Sequence, residues 1–384
     1  MKRMDFLKLS GVVLASSVLR PAGLSAADTP KKSSRRVDPG LAVFMSDIHV
    51  WGGGRRTFGP YPINDYPREH LDVAVNGILA MDPLPAMVFV PGDISWLYGD
   101  IEDYRYVKPV LGLLEEAGIR LILGMGNHDR RETFFETWPQ YAETTPVKGA
   151  VVSKVDAGPC DFIMLDSLHQ PEKVLQLDKT GPYCAGILDD SQQQWLEAEI
   201  AKIRKPTYFM AHHPASQLKV CGRNLADIIR TNPNLPGFVH GHDHFWRISH
   251  FGTKWESVWV RGNGTYDFKS LADFKRQLCL PSVSNWGDIG YVTCRIDGDG
   301  LLFESVLNDF YGVHPVPKEK RPRHWDAIRA EHNGLKCYMF HRPWAEISAQ
   351  SRSLAHSLGT SVSQDANNIQ QHIVPGGMDP FGRV

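Results

Sequence analysis

The sequence predicts an α/β fold built around a layered sheet, and two recurring patterns support this prediction. Short apolar runs that no polar residue interrupts are typical of strands buried on both faces. Stretches with apolar residues at helical spacing lie between several of these runs, and strands that alternate with helices favour an α/β sheet. The apolar runs are Leu41–Met45, Met87–Val90, Leu121–Leu123, Tyr208–Met210 and Gly237–Val239.

The predicted helices cover Glu69–Met81, Tyr104–Ala117 and Asp190–Ile203, each with apolar residues at helical spacing. Shorter alternating runs predict a second sheet. The Asp-Gly-Asp-Gly sequence at 297–300 is a strong turn signal for a hairpin within that sheet. The predicted strands are Ala150–Val155, Phe162–Leu165, Ser257–Arg261 and the two hairpin arms, Gly290–Ile296 and Leu301–Leu307.

Residues 1–27 are predicted to be an export signal. Positive charge near the start is followed by the short apolar stretch Gly11–Leu19 and then by small residues at 25–27. The route is either Sec or a degenerate twin-arginine pathway, because Met4 stands where the second arginine is expected. The mature chain is therefore expected to be periplasmic or secreted. No transmembrane segment is expected in it, since spanning a bilayer takes roughly 20 apolar residues.

The remaining chain is divided by its composition. Residues 28–40 are predicted to be a linker, residues 41–310 the folded domain, and residues 311–384 a partly irregular C-terminal extension. Lys and Arg number 42 against 43 Asp and Glu, so the chain has no strongly basic character of the kind that binds a nucleic acid duplex. Among the six cysteines, Cys160 and Cys184 are a candidate disulfide, with buried free thiols as the alternative.

Each apolar run of the first set ends abruptly in residues that carry chemistry. Ligands bind at the carboxyl ends of the strands in open α/β sheets, so these residues are expected together at one edge of the sheet. They are Asp47 and His49, then Gly92 and Asp93, then Asn127, His128 and Asp129, then His212 and His213, and finally His242 and His244.

The spacing of these residues favours a metal site. Asp47 and His49 are two positions apart, as are His242 and His244, so each pair points to one side of an extended backbone. Glycines before Asp93, Asn127 and His242 permit tight turns with positive φ and close backbone approach. Imidazole and carboxylate together suit zinc, manganese and iron.

The order of these motifs resembles the calcineurin-like metallophosphoesterase family over roughly residues 41–250. The resemblance implies a four-layer fold in which two mixed sheets form a sandwich flanked by helices, with a dinuclear metal site at the strand ends. It implies two divalent or trivalent ions (Mn, Fe or Zn), the first bound by Asp47, His49 and His244. The second would be bound by Asn127, His212 and His242, with Asp93 as the bridge. His128 matches the catalytic histidine of the family.

The function implied is hydrolysis of a small phosphate ester or nucleotide by a metal-activated hydroxide, with His128 protonating the leaving group. Phosphomonoesterase and phosphodiesterase activities both fit, and a cyclic-nucleotide or glycerophosphodiester phosphodiesterase is the alternative. A non-catalytic metal-binding scaffold is the alternative from another class. The natural substrate and the oligomeric state stay open.

Substrate contacts are expected in the loops around the metal motifs. Arg55 and Arg56 follow the first motif closely and suit phosphate oxygens, and Trp96 could stack on a substrate. Trp96 also stands where purple acid phosphatases place a tyrosine, so membership of that subgroup is not expected.

Overall fold

The structure of the protein, a computed structural model, describes residues 35–53, 57–58, 61–62, 66–170, 185–250, 275–284, 286–312, 318–342 and 346–360. The predicted export signal, Arg55, Arg56, Cys184 and the predicted strand Ser257–Arg261 lie outside these ranges.

The strands are β1 (Val37–Phe44), β2 (Thr57–Phe58), β3 (Tyr61–Pro62), β4 (Leu84–Val90), β5 (Arg120–Leu123), β6 (Ser153–Asp156), β7 (Asp161–Met164), β8 (Thr207–Met210), β9 (Lys219–Val220), β10 (Arg223–Asn224), β11 (Gly237–His240), β12 (Arg247–His250), β13 (Arg276–Cys279), β14 (Gly287–Ile296), β15 (Gly300–Tyr311) and β16 (Lys336–Phe340). The helices are α1 (Tyr66–Leu79), α2 (Ile101–Glu116), α3 (Arg131–Thr137), α4 (Gln140–Thr144), α5 (Asp190–Ile200), α6 (Leu225–Thr231), α7 (Arg323–His332) and α8 (Ala349–Thr360), with short 3₁₀ turns at Ala215–Gln217 and Lys318–Lys320.

Twelve of the strands form two six-stranded mixed sheets. Sheet I has the order β16-β15-β14-β1-β4-β5, and sheet II has the order β12-β13-β11-β8-β7-β6. In sheet I, β1 runs parallel to β4 and β4 to β5, whereas β14, β15 and β16 add antiparallel pairs. In sheet II, β7, β8, β11 and β13 are parallel and the two edge strands are antiparallel. The parallel strands of sheet I therefore lie toward one edge and end at β5, whereas those of sheet II occupy its centre.

The two sheets pack face to face around an aromatic core. Phe44 and Phe89 of sheet I stack with ring centroids 4.9 Å apart, and Phe162 of sheet II lies 4.9 Å from Phe89. Helices α1 and α2 cover the outer face of sheet I, and α5 and α6 cover that of sheet II. Burial of both faces explains the uninterrupted apolar runs, and the predicted four-layer sandwich is confirmed.

The distribution of strands between the sheets differs from the sequence prediction. The five apolar runs were expected in one sheet, but β8 and β11 belong to sheet II. The hairpin β14/β15, expected in the second sheet, pairs with β1 in sheet I. An apolar run indicates that a strand is buried on both faces. Strands of either sheet are buried in this way, so the run does not identify the neighbouring strand.

The region after Tyr311 contributes to the layers as well. Strand β16 pairs with β15 at the edge of sheet I, and Tyr208 of sheet II bonds to the carbonyl oxygen of Met339 at 3.2 Å. The division into linker, domain and C-terminal extension stays a prediction. Among the described residues, no helix has the length and apolar character needed to cross a membrane.

Candidate metal centre

The carboxyl ends of the parallel strands from both sheets meet at one edge of the sandwich. Backbone bonds join the loops after β1 and β4, since Asp47 N donates to Gly92 O at 3.1 Å and His49 N to Asp93 O at 3.0 Å. A bond between the sheets follows, because His242 N donates to both carboxylate oxygens of Asp47 at 3.1 Å. All seven predicted ligands thus lie in one cluster, although they come from two sheets.

The first predicted ligand set converges tightly. Nε2 of His244 lies 3.0 Å from Oδ1 of Asp47 and 3.2 Å from Nε2 of His49. The three side chains are buried, and their donor atoms are close enough together to hold one ion.

The second set lies on the other side of Asp93. Nδ1 of His242 is 3.0 Å from Oδ1 of Asn127 and 3.3 Å from Nε2 of His212. Oδ2 of Asp93 is 3.0 Å from Nε2 of His212 and 3.5 Å from Nε2 of His49. The Asp93 carboxylate therefore reaches both sets, as a bridging ligand must.

Charge and burial fit a metal pair. Burial alone would raise the pKa of Asp47, but His244 and His212 hold that pKa well below its usual range. Burial lowers the pKa of His212, yet Asp93 and Asp47 outweigh it and raise the pKa to about 9. Two buried carboxylates thus attract positive charge into a cluster of converging imidazoles. Nitrogen and oxygen donors in this mixture suit borderline divalent metals.

Five of the seven predicted ligands have a left-handed backbone. The φ angles are 54° at Asp47, 43° at His49, 54° at Asp93, 70° at His242 and 61° at His244. Non-glycine residues adopt such angles rarely, and they cluster where function requires a particular side-chain direction.

The glycines beside the ligands mainly allow neighbouring ligand side chains to come close to the backbone. A Cβ on Gly126 would lie 2.1 Å from Oδ1 of Asp93, and one on Gly241 would lie 2.4 Å from Oδ2 of Asp47. Gly92 alone among the three predicted turn glycines has a positive φ. For Gly126 and Gly241 the expectation of positive φ was wrong, and at Gly241 the ligand that follows, His242, takes the left-handed conformation instead.

His128 lies beside the two ligand sets. Its backbone N donates to Oδ1 of Asp93 at 2.8 Å, and its Nε2 is 4.0 Å from Oδ2 of that residue. Nδ1 is 2.9 Å from the carbonyl oxygen of Trp96, which accepts from it. Burial lowers the pKa of His128 to about 3, so the ring is neutral at pH 7 without bound ligands. With His49 and Asp93 it also forms a group that could hold an ion.

Trp96 acts through its backbone as well as offering a ring. Its carbonyl oxygen is 3.3 Å from Nδ1 of His49 in addition to the contact with His128. Its N donates to Asp103 of α2 at 3.0 Å, and this buried carboxylate also accepts from Gly52 N and Ser95 Oγ. The sequence prediction considered only the Trp96 side chain, whose ring lies 6.4 Å from that of His49.

Asp129 connects the two loops that carry Asp93 and Asn127. Its carboxylate accepts from the backbone N of Ile94, Ser95 and Gly126 and from the hydroxyl of Tyr104. It therefore fastens the Asp93 loop to the Asn127 loop.

His213 packs against the second ligand set. Its Nδ1 lies 2.8 Å from Oγ of Ser167, and its ring centroid is 4.8 Å from that of His242. Nε2 of His213 is buried and has no hydrogen-bond partner among the described residues, and the same is true of Nδ1 of His212.

Trp286 is a site residue that the sequence reasoning missed. Its ring stacks on His244 with centroids 4.2 Å apart, and its carbonyl oxygen lies 3.0 Å from Nδ1 of His244. It stands 42 residues beyond His244, outside every motif, and a carbonyl contact leaves no signature in side-chain type.

Comparisons with known proteins agree with this geometry. A model of the calcineurin-like phosphoesterase family matches residues 42–245, just over half of the chain. A protein of Rhodopseudomonas palustris named as a probable cyclic nucleotide phosphodiesterase is 30% identical over an alignment of 297 residues, and the alignment covers 71% of this chain and 98% of that protein.

Solved structures also resemble the chain. A dimetal phosphatase from Danio rerio has a TM-score of 0.48 and 14% identity, covering 70% of this chain and 96% of its own. A 5'-nucleotidase precursor from Thermus thermophilus has a TM-score of 0.36 and 15% identity, covering 83% of this chain and 58% of its own. From the family model and the curated relative, the chain belongs to the calcineurin-like phosphoesterase family and is a hydrolase that acts on phosphoester bonds.

Proposed function

We propose that the chain hydrolyses small phosphodiesters, cyclic nucleotides among them, at a centre of two metal ions. The observation that carries the proposal is the convergence of two ligand sets on either side of Asp93, whose Oδ2 lies within 3.5 Å of a histidine nitrogen from each set. The preference for diesters is supported by the relative named as a cyclic nucleotide phosphodiesterase.

The donors of the centre fit such ions. The described ion-pair partners of Asp47 and Asp93 are histidines alone, so no lysine or arginine within the described ranges occupies the position of a cation. When bound, two ions would supply Lewis acidity toward phosphate oxygens and lower the pKa of water. We infer manganese, iron or zinc from the mixed nitrogen and oxygen donors.

The chain's own residues would position the ester and move one proton. Because Nδ1–H of His128 donates to the Trp96 carbonyl, Nε2 is the nitrogen left to face the substrate. Burial disfavours the protonated ring and lowers its pKa, and the negative charge of a phosphodiester beside it would favour the protonated ring. His128 would then pass its Nε2 proton to the departing oxygen.

A substrate panel tests the proposal. Purified chain, stripped with a chelator and reloaded with Mn²⁺, would be assayed on p-nitrophenyl phosphate, its bis-ester, cyclic AMP and a glycerophosphodiester, with Asp93→Asn as the control. We expect the bis-ester and cyclic AMP to be hydrolysed faster than the monoester. Turnover of the monoester alone would show a phosphomonoesterase, and a metal-loaded chain inert on all four would refute the proposal.

Location outside the cytoplasm is a further part of this proposal. It rests on the charged and apolar pattern of residues 1–27. Expression of the full chain in a bacterial host, followed by fractionation and N-terminal sequencing, should yield a mature form that begins near residue 28. An uncleaved chain in the cytoplasm would contradict it.

A further inference from the structure

We propose that helix α7 holds His244 in its ligating position through a contact between His332 and Asp288. The inference rests on the proposed dinuclear centre and concerns residues beyond the family match at 42–245. His332 would be a positioning residue, because it acts on a predicted ligand through its described contact with Asp288.

The first step is that residues 286–288 contact His244 and hold it in place. Trp286 stacks on its ring and accepts from its Nδ1, which leaves Nε2 facing Asp47 at 3.0 Å. Asp288 N donates to the carbonyl oxygen of His244 at 2.9 Å. Oδ2 of Asp288 accepts from Trp246 N at 2.9 Å. The segment 286–288 therefore fixes the His244 ring, the backbone carbonyl of His244 and the backbone of Trp246.

The second step is the support of Asp288 itself. Its side chain is fully buried, so its carboxylate needs hydrogen-bond donors in place of water. Nδ1 of His332 lies 2.9 Å from Oδ1 and 3.1 Å from Oδ2 of that carboxylate. Removing His332 would leave the carboxylate short of a donor and free to rotate away from Trp246.

The third step is the placement of His332. It is the last residue of α7, and its carbonyl oxygen accepts from Oγ of Ser305 in β15 at 2.6 Å. The next residue, Asn333, accepts from Leu307 N at 2.8 Å through its side chain. The end of α7 is thus fixed on sheet I, and the His332 ring meets Asp288 from a defined position.

The left-handed backbone of His244 explains why this residue needs support from its surroundings. A φ of 61° at a histidine is unfavourable on its own, so surrounding contacts must hold it. Residues that orient a metal ligand typically change metal affinity by about 10–100-fold when they are mutated. The effect should fall on the ion bound by Asp47, His49 and His244, because Asn127 and His212 make no described contact with the 286–288 segment.

The test measures metal binding by the full chain, separately from activity. Wild type, His332→Leu and His332→Asn would be stripped, titrated with Mn²⁺ by calorimetry and analysed for metal content. In wild type we expect two ions. In His332→Leu we expect one site to weaken by about 10–100-fold and the other to stay within about twofold. His332→Asn, whose amide N–H can stand near the position of Nδ1, should recover most of the loss.

A matched variant controls for stability. His341 of the same C-terminal region bonds to the Tyr208 hydroxyl at 3.0 Å and to the Asp297 carbonyl at 3.0 Å, away from the ligands. His341→Leu should lower the melting temperature of the metal-free chain without changing either affinity. If His332→Leu does not fold, His332→Phe, which keeps an aromatic ring but removes the donor to Asp288, is the second variant and should weaken the same site.

The outcomes separate the two proposals. Wild type that binds fewer than two ions would refute the dinuclear centre itself. Wild type with two ions, together with His332→Leu that keeps both affinities or weakens both equally, would overturn the role of His332 and leave the proposed function standing.

Discussion

At the scale of the residue, backbone carbonyls orient several of the imidazoles in the centre. Trp96 O accepts from Nδ1 of His49 and His128, and Trp286 O accepts from Nδ1 of His244. A carbonyl accepts only from a protonated nitrogen, so these bonds select the tautomer whose Nε2 faces the centre. His242 differs, because its Nδ1 faces Asn127 and His212.

The role of His128 leads to a prediction at this scale. His128→Ala should retain both metal ions and lose about 10²–10⁴-fold in kcat on alkyl phosphoesters. The loss should be smaller on p-nitrophenyl esters, whose leaving group needs no proton. Metal analysis and steady-state kinetics on both substrate types measure this. Loss of an ion together with activity would instead assign His128 to the metal-holding group that it forms with His49 and Asp93.

A second prediction concerns Gly126. A Cβ there would meet Oδ1 of Asp93 at 2.1 Å and the Asp93 backbone N at 2.5 Å, so Gly126→Ala should displace the bridging carboxylate. Displacements of this kind cost about 10²-fold or more in kcat, and metal content should fall with it.

Gly112→Ala is the matched control for this glycine substitution. Gly112 lies inside α2, and a Cβ there has no neighbour within 4 Å. Alanine should raise the free energy of unfolding by about 0.5–1 kcal/mol and leave kcat unchanged. Equal activity in the two variants would mean that the Asp93 loop can move aside.

The convergence of the candidate ligands was predictable from sequence, whereas the residues that orient them were not. Asp47, His49 and their counterparts are recognisable because ligation requires particular side-chain types at particular spacings. Trp286 and Trp96 contribute carbonyl oxygens, which every residue has. Arg55 and Arg56 lie outside the described residues, so their predicted contact with phosphate stays a prediction.

At the scale of the element, a buried ion pair joins the two halves of the sandwich. Arg131 at the start of α3 donates to both carboxylate oxygens of Asp166, just after β7, at 2.7 and 2.8 Å. Asp166 is fully buried and also accepts from Val151 N. The pair therefore connects a helix that follows the Asn127 loop to a strand of sheet II.

Asp166→Ala should destabilise the fold by about 3–5 kcal/mol, because it leaves the Arg131 guanidinium without its buried partner. Chemical denaturation of the metal-free chain measures this. Glu102→Ala, which breaks the exposed pair with Arg105, should cost less than about 1 kcal/mol. Comparable losses in the two variants would show that burial does not strengthen the Asp166 contact.

Element positions were largely predictable, and their pairing was not. The helices α1, α2 and α5 and the five strands predicted from the uninterrupted apolar runs agree with their apolar spacing to within a few residues. Strands β12 and β13 were missed because residues such as Arg247, Arg276 and Gln277 break the apolar pattern. Arg276 is buried and donates to the carbonyl oxygen of Tyr338, a partner that no local pattern could reveal.

At the scale of the whole molecule, the stability of the metal-free chain should fall as pH rises above 6.5. The stability of the metal-loaded chain should instead rise over the same range. The pKa of His212 is raised from 6.5 to about 9, so its protonated form stabilises the metal-free fold below pH 6.5. That contribution is lost as pH rises toward 9, by at most about 1.4 kcal/mol per pH unit. Metal binding requires neutral imidazoles, so the loaded chain should gain stability over the same range.

Melting temperatures between pH 6.5 and 8, with chelator and with Mn²⁺, measure this dependence. The window ends at pH 8 because burial lowers the pKa of Lys275 to about 8, and its titration acts in the opposite direction above that pH. His212→Gln should flatten the metal-free curve. Parallel slopes with and without metal would contradict the assignment of His212 as a ligand.

The overall architecture follows from the family resemblance better than from patterning alone. Apolar spacing supports alternating strands and helices, but two sheets that each contain a set of parallel strands satisfy it as well as one larger sheet does. The role of β16 and α7 lay beyond the sequence reasoning, because their contacts with β15 and Asp288 join residues that are tens of positions apart.

The left-handed ligands have a consequence for the evolution of this fold. A backbone held at positive φ by five non-glycine residues stores conformational energy that a chain selected for stability alone would discard. Glycine would relieve that energy and remove the donor atom at the same time. The presence of aspartate and histidine at these positions is therefore a trade of stability for activity, in a part of the molecule where the two conflict.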